Sequence, residues 1–159
     1  ICEGLVGSEM CIRDRNCLVI EASEVSNNNV VTNDLVKLIS PSSFKYLGRI
    51  DNVVNSGGVK LFPEQIEAKL AKFINIPFII ASEKNQTLGE QLILILEEDL
   101  SKPILDIKTA FSILSNYERP KKIYIFSKFS FTETGKIKRS EILNNLDQAT
   151  EIIQQKKHK

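Results

Sequence analysis

The 159 residues carry 21 Lys plus Arg against 20 Asp plus Glu, for a net charge of +1, with 42% hydrophobic and 26% charged residues. That length suits one domain, or one small domain with part of another, and the apolar content is too high for a disordered chain. The near-neutral balance leaves no bulk electrostatic case for a nucleic-acid or membrane-surface protein, and no apolar run approaches the roughly 18 residues of a membrane span.

The first fifteen residues, ICEGLVGSEMCIRDR, show no sustained periodicity. They resemble a translated sequencing adapter and are set aside from fold reasoning as a non-native scar over residues 1–15. The three cysteines, Cys2, Cys11 and Cys17, crowd this end, while the single histidine, His158, is the penultimate residue. Neither a zinc site nor a Cys-His nucleophile can be drawn from that spacing, so the expectation is unpaired thiols in a reducing compartment. A chain that starts at Ile1, with no signal-type segment, reads as a soluble piece of something longer.

From residue 16 the pattern is β-type: Cys17-Leu18-Val19-Ile20, a polar break at Ser26-Asn27-Asn28-Asn29, an apolar stretch over 35–39, then Phe44 to Arg49 in rough alternation. No helices stand by to cover these strands, which read as the edge of a larger sheet. Near Asp51 the pattern changes. Val53-Val54-Asn55 predicts a brief strand and Ser56-Gly57-Gly58 a turn. Pro63 predicts a helix start, with Glu64 and Glu67 near its positive end and Ile66, Leu70 and Phe73 on one face. Residues 77–81 and 91–97 predict two apolar strands joined by a polar stretch over 83–90. Pro103 starts a second helix lined by Ile104, Ile107, Phe111 and Leu114. Ile123-Tyr124-Ile125-Phe126 is a third strand, and 139–146 a short helix. The order α-β-β-α-β-α predicts an α+β domain, helices packed on a small three-stranded sheet. The tail from residue 149 is polar and expected to fray.

Four polar segments interrupt this pattern: Thr32-Asn33-Asp34, Gly48-Arg49-Ile50-Asp51-Asn52, Ser56-Gly57-Gly58-Val59-Lys60 and Thr132-Glu133-Thr134-Gly135-Lys136. Singly they suit turns, a strand end with a local ion pair, and an exposed hairpin tip. The last is no phosphate-cradling loop, because Gly-Lys is not followed by Ser or Thr at the required spacing. Residues 118–139 hold seven Lys or Arg and two acidic residues. A solvated face explains that excess as well as an anionic ligand approached by Lys136 does.

Taken in order, the segments resemble the C-terminal part of the adenylate-forming acyl-CoA synthetase (AMP-binding) superfamily over residues 32–146. The run LGRIDNVVNSGGVKLFPEQIE, residues 47–67, is similar to the superfamily's hinge motif nearly residue for residue, and within the superfamily to the o-succinylbenzoate-CoA ligases of the menaquinone pathway. The resemblance implies that Asp34 bonds the ribose hydroxyls of the adenylate and Arg49 contacts the nucleotide. It implies that Asp51 is the hinge of a mobile lid, that Gly57 and Gly58 line the pantetheine tunnel, and that Lys136 reaches the α-phosphate and the substrate carboxylate. The superfamily usually has Gly at the position of Asn33 and Pro at that of Phe131. The implied organisation is 16–50 as the last strands of a large adenylate-binding domain, 51–147 as the lid domain and 148–159 as a polar tail. ATP/AMP and CoA are then substrates beside a small carboxylate, Mg2+ accompanies ATP on ligands outside this chain, a large N-terminal domain is the missing partner, and the protein is cytoplasmic, without nucleic acid or membrane span. Two alternatives stay open: a non-catalytic α+β module with a basic face over 121–139, and an adenylation domain that loads a carrier protein.

Overall fold

The structure, a computed structural model, describes residues 2–3, 9–13, 17–21, 30–40, 43–98 and 107–152. Contacts along the chain divide it into two units, Ile1–Val53 and Val54–Lys159.

The first unit is a sheet of short antiparallel strands: β1 (Cys2–Glu3), β2 (Glu9–Arg13), β3 (Cys17–Glu21), β4 (Val30–Ser40) and β5 (Ser43–Arg49), in the order β1-β5-β4-β3-β2. The segment set aside as foreign therefore supplies two strands, β2 pairing with β3 and β1 with β5. Strand β4 is rich in Val, Leu and Ile, as a pleated surface favours. Its alternation breaks where Leu35 and Val36 are buried in succession. The pairing is irregular there too: Leu35 pairs with Gly48 but Val36 with Tyr46, leaving Leu47 of β5 as the extra residue of a bulge. Cys17, Val19, Leu35 and Val36 are buried in this sheet, while Val30, Val31, Leu38, Ile39 and Tyr46 are exposed.

In the second unit a hairpin of β6 (Val54–Ser56) and β7 (Val59–Leu61) precedes helix α1 (Pro63–Leu70). Then follow β8 (Phe78–Asn85), β9 (Gly89–Glu97), α2 (Ile107–Ser112), β10 (Lys122–Phe126), α3 (Arg139–Asn144) and β11 (Thr150–Ile152). The predicted α-β-β-α-β-α order and α+β class are what the structure has. The sheet is larger than the expected three strands, because β6-β7 joins β9 through Ser56 and Gly89, and β11 pairs with β10. The tail expected to fray from residue 149 thus holds a strand over Thr150–Ile152, and residues 153–159 lie outside the described ones. The polar stretch over 83–90 is not a loop either. Ser82, Glu83, Lys84 and Asn85 pair in register with Leu92, Gln91, Glu90 and Gly89, and only residues 86–88 turn. Pro103 and Ile104 fall outside the described residues.

Strand β9 explains the two-sided core. Gln91 to Leu96 are all buried, a continuous run rather than an alternation, because the strand is covered on both faces. Leu92, Leu94 and Leu96 join Ile80 and Ile123 under Ile66 and Leu70 of α1 and Ala110 of α2. Ile93 and Ile95 join Ile79, Ala81 and Tyr124 under Phe129 and Ile142. Fully burying each such Leu or Ile contributes about 1.5–3 kcal/mol, so Leu94→Ala, at 0% exposure, should cost about 2–5 kcal/mol. Helix α1 ends at Leu70, earlier than its apolar face suggests, and Phe73 packs on the same core from the turn that follows.

Candidate functional site

Strands β4 and β5 bring the first two nominated residues together. Asp34 lies directly opposite Arg49 in the antiparallel register, so the two share a face of the sheet. The Thr32 hydroxyl holds this part of β4 in place, donating to the Leu18 carbonyl at 2.9 Å and accepting the Asp34 N–H at 3.2 Å. After β5 the chain makes a 3₁₀ turn over Ile50–Asn52. There the Asp51 carboxylate accepts from Asn33 Nδ2 at 3.1 Å and from Arg49 Nη2 at 3.4 Å. Asn33, at the position usually held by Gly, thereby ties β4 to the segment nominated as a hinge. Both members of the Arg49–Asp51 pair are more than half exposed, so it is a weak, breakable tether.

Gly57 and Gly58 form the tip of the β6-β7 hairpin with φ of 58° and 82°. Two successive positive values are what a tight turn matching strand twist requires, and only residues such as Gly or Asn adopt them cheaply. The tip is anchored: Gly57 N–H donates to the Leu88 carbonyl at 2.9 Å, and a Cβ on Gly57 would meet Leu88 Cδ2 at 3.2 Å. Beside it lies a shallow groove of about 560 Å³ lined by Asn55, Lys84, Asn85, Gln86, Gly89 and Glu90.

Lys136 stands on a second hairpin, closed by Thr132 N–H to Lys136 O at 2.8 Å and Lys138 N–H to Ser130 O at 2.9 Å, with Phe131 bridging to Ile137. The Thr132 hydroxyl also accepts the Lys136 N–H at 3.0 Å. Ile137 packs inward, so by alternation Lys136 faces solvent. Among the described residues no carboxylate pairs with its ammonium. Its basic neighbours differ. Lys122 is bound by Glu83 at 3.0 Å and Glu151 at 3.5 Å, Lys138 by Glu141 at 2.9 Å, and Arg139 by Glu67. Three of the seven basic residues in the segment are therefore matched by acids distant in sequence or on the next turn.

Two polar networks escaped the sequence reading. In one, Glu83 accepts from Tyr124 OH at 2.8 Å, from Lys122 and from Gln91. Burial alone would raise the Glu83 pKa, but the hydrogen bonds from Lys122, Tyr124 and Gln91 outweigh it and hold it below the ordinary carboxylate value. The hydrogen bond to Glu83 in turn holds the Lys122 ammonium protonated above the usual lysine range. In the other, Glu67 does not serve the helix dipole as its early position in α1 suggested. Its Oε1 accepts the Ile80 N–H at 2.6 Å, its Oε2 accepts from Arg139 Nη2, and Arg139 Nη1 donates to the Ile80 carbonyl at 2.9 Å. Burial raises the Glu67 pKa, and Arg139 and the Ile80 N–H offset part of that rise. The only sequence signals were acids and bases in excess of what caps and turns need.

No protein-family model and no curated protein sequence matches the chain. Solved structures do. An acyl-CoA synthetase (AMP-forming)/AMP-acid ligase II-like protein from Dyadobacter fermentans is 33% identical over 89% of this chain and 42% of its own, with a TM-score of 0.55. ATP-bound MatB from Rhodopseudomonas palustris shares 15% identity over 91% of this chain and 35% of its own, TM-score 0.73. The o-succinylbenzoate CoA synthetase MenE of Bacillus subtilis, solved with the acyl-adenylate OSB-AMP, shares 16% over 87% of this chain and 34% of its own, TM-score 0.70. The first of these is AMP-forming by description, the second holds ATP and the third an acyl-adenylate. The two at 15% and 16% identity establish a common fold, and the chain spans less than half the length of any of the three.

No group of three or more His, Cys, Asp and Glu able to hold a metal occurs among the described residues, and no helix there is long and apolar enough to cross a membrane.

Proposed function

We propose that the chain is the C-terminal segment of an ATP-dependent acyl-CoA ligase, residues 16–50 ending the large adenylate-binding domain and 51–147 forming its lid. The ligase joins a carboxylate to the α-phosphate of ATP, releasing pyrophosphate, and the CoA thiol then attacks the acyl carbon as AMP leaves. The observation that carries this reading is the cross-strand pairing of Asp34 with Arg49 in a chain whose fold is shared with ATP-bound and acyl-adenylate-bound ligases.

In this reading the Asp34 carboxylate accepts hydrogen bonds from the ribose hydroxyls, and the planar Arg49 guanidinium donates to nucleotide oxygens. Joining a carboxylate to a phosphate brings two anions together. A cation between them stabilises the transition state more than the separated substrates, and Lys136 is the hairpin cation that no carboxylate among the described residues pairs. Thioester formation requires that cation out of the way, so the lid swings about Asp51, releasing its bonds to Asn33 and Arg49, and Gly57 and Gly58 leave room for a pantetheine arm. Mg2+ would accompany ATP, but the described residues offer it no ligand cluster, and no step here passes through it. The preferred carboxylate is o-succinylbenzoate, the compartment the cytoplasm.

The decisive assay gives the complete ligase carrying this segment ATP, CoA and o-succinylbenzoate beside other small carboxylates. Acyl-CoA, AMP and pyrophosphate in equal amounts are expected, with o-succinylbenzoate the best acid. ADP with phosphate, or no nucleotide dependence at all, overturns the reading, and a different best acid overturns only the substrate.

A further inference from the structure

A buried pair of opposite charges contributes little net stability, because desolvation consumes most of the attraction, yet losing one partner is severe. Glu67 and Arg139 form a partly buried pair that approaches this case, with side chains 19% and 25% exposed, and their placement is specific. Ile80 lies on β8, which among the described residues pairs with β9 alone, and its N–H and C=O both face the other edge. Glu67 takes the N–H and Arg139 the C=O, while the two side chains bond each other. The guanidinium uses two separate nitrogens, so its plane is set by helix α1 and strand β8 together.

Arg139 is also the third residue after Lys136. Between them Ile137 is packed on the core, and Lys138 is tied to Glu141. The hairpin therefore has a base fixed by the Arg139 fork and by Ile137, and one exposed ammonium beyond it. Arg139 and Lys138 are each engaged by a carboxylate, whereas no carboxylate among the described residues engages Lys136.

Resting on the role of Lys136 proposed above, we infer that the Glu67–Arg139 pair is the positioning element of the Lys136 hairpin. It couples helix α1 to the loop so that the ammonium is delivered in one geometry during adenylate formation. Arg139 and Glu67 touch no substrate and act only through Lys136.

The test is Arg139→Lys in the complete ligase, which keeps the charge and one donor but loses the fork. Pyrophosphate formation should slow by about 10- to 100-fold, the penalty of a small misplacement, with KM for ATP unchanged within about twofold. CoA consumption from preformed acyl-adenylate should be nearly unaffected. In a Lys136→Ala background the same substitution should cause no further loss, because a residue acting through another is silent once that residue is gone. Glu67→Gln keeps the acceptor for the Ile80 N–H and should show the same split, which covers the case that Arg139→Lys folds poorly. Equal losses in both half-reactions, or an undiminished loss in the Lys136→Ala background, overturn the inference. If Lys136→Ala slows adenylation but neither Arg139→Lys nor Glu67→Gln does, the inference alone fails. If Lys136→Ala leaves adenylation untouched, the role of Lys136 fails and takes the inference with it.

Discussion

Asp34 and Arg49, fifteen residues apart in sequence, are directly opposed on neighbouring antiparallel strands. An acceptor and a planar donor thus stand on one sheet face, and the guanidinium is meanwhile restrained by Asp51 at 3.4 Å. Arg49→Lys keeps the charge but not the fork. We expect KM for ATP in the complete ligase to rise about tenfold or more, the loss of one hydrogen bond to a charged group. An unchanged KM would remove Arg49 from the nucleotide site.

Lys136→Ala should slow pyrophosphate release by about 10²- to 10³-fold, equivalent to about 2.7–4 kcal/mol of transition-state stabilisation, and spare thioester formation. Lys138 is the internal control: two residues away, also exposed and held by Glu141, it should matter far less when changed to Ala. Equal sensitivity of the two would reduce the segment to a general basic face. The 159-residue chain alone should form no thioester.

The hairpin tip allows a purely conformational test. At Gly58, φ is 82° and no atom lies within 4 Å of an added Cβ, so Gly58→Ala meets strain without a clash. The expected loss is about 1–2 kcal/mol in urea denaturation, and Gly58→Asn should lose less, since Asn tolerates the left-handed region. Equal losses would point to side-chain crowding instead.

Glu83 connects stability to pH. Its pKa is lowered in the folded chain, so its contribution is present above the unfolded value of about 4.3 and is lost as pH falls through the folded one. Glu83→Gln should flatten the fall in urea midpoint below about pH 4.3. The fall should not vanish, because Glu118, bound by Lys69 at 2.6 Å, is shifted in the same direction. An acid limb identical to that of the unaltered chain would show that the Glu83 network contributes nothing.

Exposed Val30, Val31, Leu38, Ile39 and Tyr46 concentrate apolar surface on β4 and β5. A patch of this kind favours association. The full chain should self-associate in light scattering at concentrations where a shorter chain beginning at Asp51 stays monomeric. Identical scattering would mean that this exposed surface does not drive association.

Much of this protein could be read from one dimension. Apolar runs and their periods pointed to β8, β9, β10 and α1, because burial on one face or two leaves a repeat of 3.6 or an unbroken run. Paired glycines marked the turn at residues 57–58, since few residues take two positive φ values. The quoted motifs nominated Asp34, Arg49, Asp51 and Lys136 as residue types suited to nucleotide and anion chemistry. Tertiary structure decided what depends on partners far apart in the chain. It set Asp34 opposite Arg49, because register follows from strand pairing and a bulge at Leu47. It made strands of residues 82–85 and 150–152 by pairing them with β9 and β10. It also turned Glu67 and Arg139, 72 residues apart, into one partly buried pair. Local periodicity carries no trace of such a contact, since a charged side chain in the sequence looks the same whether its partner is solvent or another residue.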